Sequence, residues 1–240
     1  MNIVADTHTH TIASSHAYGT IIEMATYAAK HGLSCIAMTD HAPAMDDAAH
    51  VWHFFNLHLI PNYIEGVRVL TGAETNIIDY EGHIDLPEDL LKKMDWVVAS
   101  FHPEAIKPGT VEQHTEAILG MLKNPYIDVF GHPGPNNFKF DYDYVVPKFK
   151  DSGKYIEFNA SSFTFRAGAK ENMRYVAKLC AKHGVEVVVN SDSHSPFNVG
   201  DVQIALDLLR EVDFPPELII NTDLERFKRA LSNRHIPVVY

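Results

Sequence analysis

Cysteine is scarce: Cys35 and Cys180 are the only two in 240 residues. One lies in an apolar run and the other in a helical pattern. Both read as buried thiols in a reducing compartment, and a disulfide framework is excluded. Basic runs are missing too. The formal net charge is −11, which removes the electrostatic grip needed for nucleic acid or anionic lipid. No apolar stretch is long enough to cross a bilayer. The opening "MNIVADTH" has neither the basic region nor the apolar stretch of a signal peptide, so a cytoplasmic protein is expected. What remains is an ordinary globular composition, 46% hydrophobic, at a length that fits one domain over residues 1–240. Composition does not set the oligomeric state, and a homo-oligomer stays open.

Seven short apolar runs recur, at residues 2–8, 34–41, 67–75, 95–102, 126–132, 154–160 and 185–192. Each is apolar nearly throughout rather than alternating, as a strand buried on both faces should be. Helical patterns separate them, including residues 20–32, 110–124 and 171–184, and one at 222–231 opened by a Thr222/Glu225 capping box. Strand and helix in alternation predict a parallel α/β architecture. The strand ends favour a closed barrel over an open sheet. Six of the seven runs finish in metal-ligand residue types: His8 and His10, Asp40 and His41, Glu74, His102, His132, and Asp192 with His194. The sixth finishes in Asn159. In a barrel these ends meet on one face, whereas an open sheet would spread them along an edge.

His8 and His10 stand two apart on a strand, so both should face one way and grip one ion, with Asp6 on the same face to orient an imidazole. Glu74 would be a carboxylate in an apolar run, costly without a cation or a hydrogen-bonded partner. The remaining histidines have bland readings: helix ends for His31 and His183, a mouth-covering aromatic segment for His50, His53 and His58, a hairpin turn for His83, and surface for His114 and His235. The candidate ligands number nine: His8, His10, His16, His41, Glu74, His102, His132, Asp192 and His194. That is too many for one ion and about right for three if Glu74 bridges two. An imidazole-rich set suits zinc, iron or manganese. Such a cluster acidifies bound water and holds phosphoryl oxygens.

Taken together, "DTHTH", "TDH", Glu74, "FH" at 101–102, "GHP" at 131–133 and "SDSH" resemble the four motifs of the PHP (polymerase and histidinol phosphatase) superfamily. "SSHAY", "HVWHF" and "VDFPPE" make the YcdX-like phosphatases the nearest likeness. The resemblance implies a distorted seven-stranded (β/α)7 barrel of PHP type and a centre of three divalent ions, often zinc. It assigns His8, His10, Glu74 and Asp192 to one metal, Glu74, His102 and His132 to a second, and His16, His41 and His194 to a third.

The expected activity is hydrolysis of a small phosphomonoester, with Glu74 and Asp192 as catalytic carboxylates. Asp192 or a water is the candidate proton donor. Arg166, in the loop after the sixth strand, is placed to clamp phosphate through two parallel hydrogen bonds, and Asn159 to add a donor. Three other readings compete: an amidohydrolase-type deacetylase or deaminase, a non-catalytic metal-binding protein, and a DNA exonuclease, the last disfavoured by the acidic chain.

Overall fold

A computed structural model describes residues 1–240. Eight strands form: β1 (Ala5–Thr9), β2 (Cys35–Met38), β3 (Tyr63–Ile64), β4 (Val67–Asn76), β5 (Trp96–Ser100), β6 (Val129–Phe130), β7 (Tyr155–Asn159) and β8 (Val187–Asn190). Seven run parallel in the order β1-β2-β4-β5-β6-β7-β8, and the two-residue β3 pairs antiparallel with β4. The ring closes through a parallel bridge between Thr9 and Ser193 and a 2.8 Å bond from His10 N to Ser193 O. The seven parallel strands are the seven expected from the apolar runs, and the α/β barrel reading holds.

The helices are α1 (Ile21–Lys30), α2 (Val51–Phe55), α3 (Glu88–Leu91), α4 (Val111–Met121), α5 (Tyr142–Val145), α6 (Phe149–Ser152), α7 (Ser162–Phe165), α8 (Ala169–His183), α9 (Gln203–Glu211) and α10 (Leu224–Ser232). Capping boxes start two of them, Thr20 with Glu23 and Thr110 with Gln113. The box expected at Thr222 is absent. Asp223 caps α10 by accepting from Arg226 N, and the Thr222 hydroxyl donates instead to Ile219 O.

Two apolar clusters divide the work. Fifty-two buried residues fill the space between the strands and the outer helices. Thirteen others include Ala5, Ala37, Leu70, Trp96, Val98, Val129, Tyr155 and Val188 from the strands and Phe227, Ala230 and Leu231 from α10. The C-terminal helix therefore plugs the N-terminal end of the barrel, and polar residues are left for the other end. One strand is long because it is shared. β4 pairs with β2 through Arg68–Thr71 and with β5 through Gly72–Asn76. At the changeover, a Cβ on Gly72 would sit 2.0 Å from the Trp96 carbonyl oxygen, so only glycine fits.

Two strands depart from expectation. β6 keeps two residues of a seven-residue run. Asp128 before it is taken by Arg234, and His132 after it has φ 28, outside the strand region. In β1 the register against β2 shifts between Asp6 and Thr9. Such an irregularity re-aims side chains, so Asp6 does not share a face with His8 and His10. Its carboxylate instead accepts Ser191 N–H and O–H and Gly200 N–H. Burial outweighs those bonds and pushes its pKa up to about 6.

Candidate metal centre

The C-terminal ends of the parallel strands bring all nine candidate residues into one cluster. Glu74, 1% exposed, stands at its middle. Five imidazole nitrogens approach its carboxylate: His8 Nε2 at 3.3 Å, His10 Nε2 at 3.6 Å, His41 Nδ1 at 2.8 Å, His102 Nε2 at 3.5 Å and His132 Nε2 at 2.8 Å. His10 Nε2 also lies 3.1 Å from Asp192 Oδ1. The rings of His10 and His194 stack at 4.2 Å, those of His194 and His16 at 4.4 Å, and those of His16 and His41 at 5.1 Å.

Ring orientation shows what these groups are prepared for. His8 Nδ1 lies 2.8 Å from Glu157 Oε1, and His102 Nδ1 lies 2.7 Å from Asn76 Oδ1. The Asn76 amide is fixed because its nitrogen donates to Ala42 O and Asp85. His194 Nδ1 faces Asp192 O, His16 Nδ1 faces the Asp47 carboxylate, and His10 Nδ1 faces Ser14 Oγ, whose proton goes to Asp40. Each partner is an acceptor, so in these five rings Nδ1 carries the hydrogen and Nε2 presents a lone pair. The buried atoms without hydrogen-bond partners include Nε2 of His8, His10, His41 and His194, together with His41 Nδ1 and Glu74 Oε2. Buried polar atoms are normally satisfied. A set of lone pairs converging on a carboxylate fits cations.

Three groups offer ligand atoms within 4.8 Å of one another: His8, His10 and Glu74; His41, Glu74 and His102; and His10, His41 and His194. Glu74 belongs to two of them, as a bridging carboxylate should. The grouping differs in part from the one implied by the resemblance. His41 joins Glu74 and His102, His10 joins His41 and His194, and His16, His132 and Asp192 belong to none of the three. His16 stands on the loop after β1. That loop is held by Asp40, which accepts Thr11 N–H, Thr11 O–H and Ser14 O–H at 2.8 Å each.

Electrostatics separates the imidazoles. Burial works against a charge on His8, yet Glu157, Glu74 and Asp192 together raise its pKa well above the ordinary value, so these carboxylates favour positive charge at Nε2, where a bound cation would take the place of the proton. Burial and neighbouring His41 push His10 down to about 3, and burial with His132 and His41 beside it pushes His102 well below the usual range. Burial would raise Glu74, but His8 and His102 beside it, a hydrogen bond from His132 and the close approach of His41 hold it far below an ordinary carboxylate. Asp192, opposed by burial, is likewise held low by His8 and His10. Asp192 and His132 both have positive φ, 57 and 28, a conformation that costs a non-glycine residue ~1–3 kcal/mol and gathers at functional sites.

Glu157 is the residue that sequence reading missed. It carried the same signal as Glu74, a glutamate inside an apolar strand run. It accepts four hydrogen bonds, from His8 Nδ1 and Asn190 Nδ2 on Oε1 and from His132 N and Asn159 Nδ2 on Oε2. Asn159 also differs from its expected role. Its amide nitrogen donates to Glu157 and Asp192 and its oxygen accepts Ser162 N–H, at 1% exposure. It holds Asp192 and has nothing left for a phosphate. His114 is no surface residue: at 2% exposure it bonds Lys139 O and Gly109 N. His53 reaches to 3.4 Å from Asp40.

A cavity of about 310 Å³ opens over the cluster, lined by His16, His41, His102, Asp192 and His194 with Glu104 and Arg166. Arg166 follows α7, and no carboxylate of the chain pairs with it. A second cavity of about 560 Å³ adjoins the first, sharing Asp192 and His194.

Known proteins agree with this picture. The family model described as "PHP domain" matches residues 6–161. A "probable phosphatase" of Acetivibrio thermocellus is 49% identical over 234 residues, covering 98% of this chain and 97% of its own length. Another, from Clostridium novyi, is 44% identical over 235 residues, at 98% and 96% coverage. The crystal structure of histidinol phosphate phosphatase from Lactococcus lactis, complexed with zinc, L-histidinol and phosphate, aligns with a TM-score of 0.59. It is 16% identical, over 88% of this chain and 94% of that one, and so shares the fold. With the barrel, the strand-end ligand set and these full-length relatives in hand, the chain belongs to the PHP domain family, on the branch whose relatives are described as phosphatases.

Proposed function

We propose that this chain hydrolyses a small phosphomonoester with three divalent ions, zinc foremost and manganese or iron as alternatives. They are held by His8, His10, His16, His41, Glu74, His102, His132, Asp192 and His194. The observation that carries the reading is the approach of five imidazoles to within 3.6 Å of the Glu74 carboxylate. That arrangement serves no apolar core and suits a bridging ligand. Bound there, divalent cations supply positive charge against phosphoryl oxygens and acidify water.

The chain's own groups do the rest. Arg166 faces the cavity over the cluster, where its planar guanidinium can take two phosphate oxygens and hold the ester in line. Asn159 fixes the Asp192 carboxylate through its amide. Because Asp192 is held well below the ordinary carboxylate range, it serves as a charged ligand rather than as the proton donor to the leaving oxygen. Glu157 keeps His8 aimed at the centre.

The test is metal analysis alongside turnover. Protein stripped and reloaded with zinc or manganese should saturate at about three ions per chain and release inorganic phosphate from a panel of phosphomonoesters. Saturation at a single ion would sink the trinuclear reading, and no release from any ester would sink the phosphatase reading.

A further inference from the structure

The larger cavity beside the cluster has its own chemistry. It shares Ser161, Phe165, Asp192 and His194 with the cavity that holds Arg166, and continues past them to Thr164, Asn198, Asp201 and Ile204. Were phosphate held at Arg166 and the histidines, this adjoining space would receive the leaving group. At about 560 Å³ it falls within the range of small-molecule sites and exceeds what a phosphate needs.

Its walls divide into committed and free groups. The Ser191 hydroxyl donates to Asp6 and the Ser193 hydroxyl to Ser195 O. The hydroxyls of Ser161 and Thr164, the Asn198 amide and the Asp201 carboxylate bond to nothing else in the chain. Asp201 enters no ion pair, and neither lysine nor arginine lines the cavity. Phe165, 82% exposed, offers a bare ring at the junction of the two spaces. A carboxylate accepts two donors at once, an amide donates and accepts, and an aromatic ring covers a C–H face. These groups together match neighbouring hydroxyls on a carbon ring. The uncompensated negative end at Asp201 repels a second anion.

We propose that the preferred substrate is a polyhydroxylated, sugar-like monophosphate, and that Asp201 rejects the corresponding bisphosphate. This rests on the phosphatase reading above. The experiment uses metal-loaded wild type, Asp201→Asn and Asp201→Lys. Each is assayed on p-nitrophenyl phosphate, a hexose 6-phosphate and the hexose 1,6-bisphosphate. The wild type should favour the monophosphate in kcat/KM by roughly tenfold or more. Asp201→Lys should erase or reverse that ratio, with Asp201→Asn between. Asp201 is exposed and its side chain bonds to nothing, so folding is not at stake. Three results would overturn the assignment and leave the phosphatase reading standing: equal wild-type rates on the two sugar esters, a ratio untouched by Asp201→Lys, or turnover of p-nitrophenyl phosphate alone. No turnover of any ester by the wild type would overturn both.

Discussion

Glu157 shows how one side chain sets another's chemistry. All four of its hydrogen bonds come from donors, so it must be a carboxylate. In Glu157→Gln one of the two positions becomes an NH₂ group facing donors. His8 then loses its fixed tautomer, and metal affinity should fall by roughly 10- to 100-fold. Titration with a competing chelator would read this, and unchanged affinity would make Glu157 structural only. Glu74→Gln leaves one neutral oxygen where two anionic ones faced five histidines. It should abolish turnover and release two ions rather than one, as elemental analysis would show. Arg166→Ala should keep all the metal and lose roughly 10- to 1,000-fold in kcat/KM, about 1.4–4 kcal/mol. An unchanged value in metal-replete protein would mean that Arg166 does not touch the phosphate.

Among the elements, the C-terminal segment does more than its composition suggests. α10 fills the barrel's N-terminal end with Phe227, Ala230 and Leu231. Just beyond it, Arg234 grips Asp128 through two bonds, Nε–Oδ1 at 2.6 Å and Nη2–Oδ2 at 2.9 Å. Asp128 also accepts Val97 N–H, which ties the clamp to β5 at the start of the short β6. Burial raises the Asp128 pKa, and Arg234 acts against that rise. Arg234→Ala would strand a buried carboxylate and should destabilise the protein by about 3–5 kcal/mol. Asp128→Leu combined with Arg234→Met should recover most of that. Urea unfolding of the three proteins would decide it, and a neutral single variant would show the pair to be solvated.

For the whole molecule, the barrel buries a layer of histidines and carboxylates that apolar packing does not satisfy. Cations that bind only the folded state stabilise it by mass action, about 2.7 kcal/mol per site at 100 times Kd. Stripping the ions should therefore lower Tm by about 5–10 °C per site in a chain of this size, and zinc or manganese should restore it. Calorimetry of stripped and reloaded protein would test this, and an unmoved Tm after verified metal loss would mean that the cluster supports itself without ions.

The strands and the end of each strand that carries chemistry were legible in the sequence. Unbroken apolar runs exist only where both faces of a strand are covered, and ligand residues concentrated at one end of such runs have few other uses. His8, Glu74 and His132 stood out for that reason, although the strands lie far apart in the chain. Glu157 is also a glutamate in an apolar run, but it sits in the middle of that run rather than at its end, where the other ligand types concentrate. What only the tertiary structure decided depends on backbone irregularity and on partners distant in sequence. The register shift in β1 turned Asp6 away from the histidines, which strict alternation could not foresee. Asn159 was absorbed by Glu157 and Asp192, His114 by the carbonyl of Lys139, and Asp128 by an arginine 106 residues away. Which ring nitrogen faces the centre followed from acceptors on other strands and loops. Residue type and local spacing are written in the chain, but hydrogen-bond commitment is a property of the closed barrel.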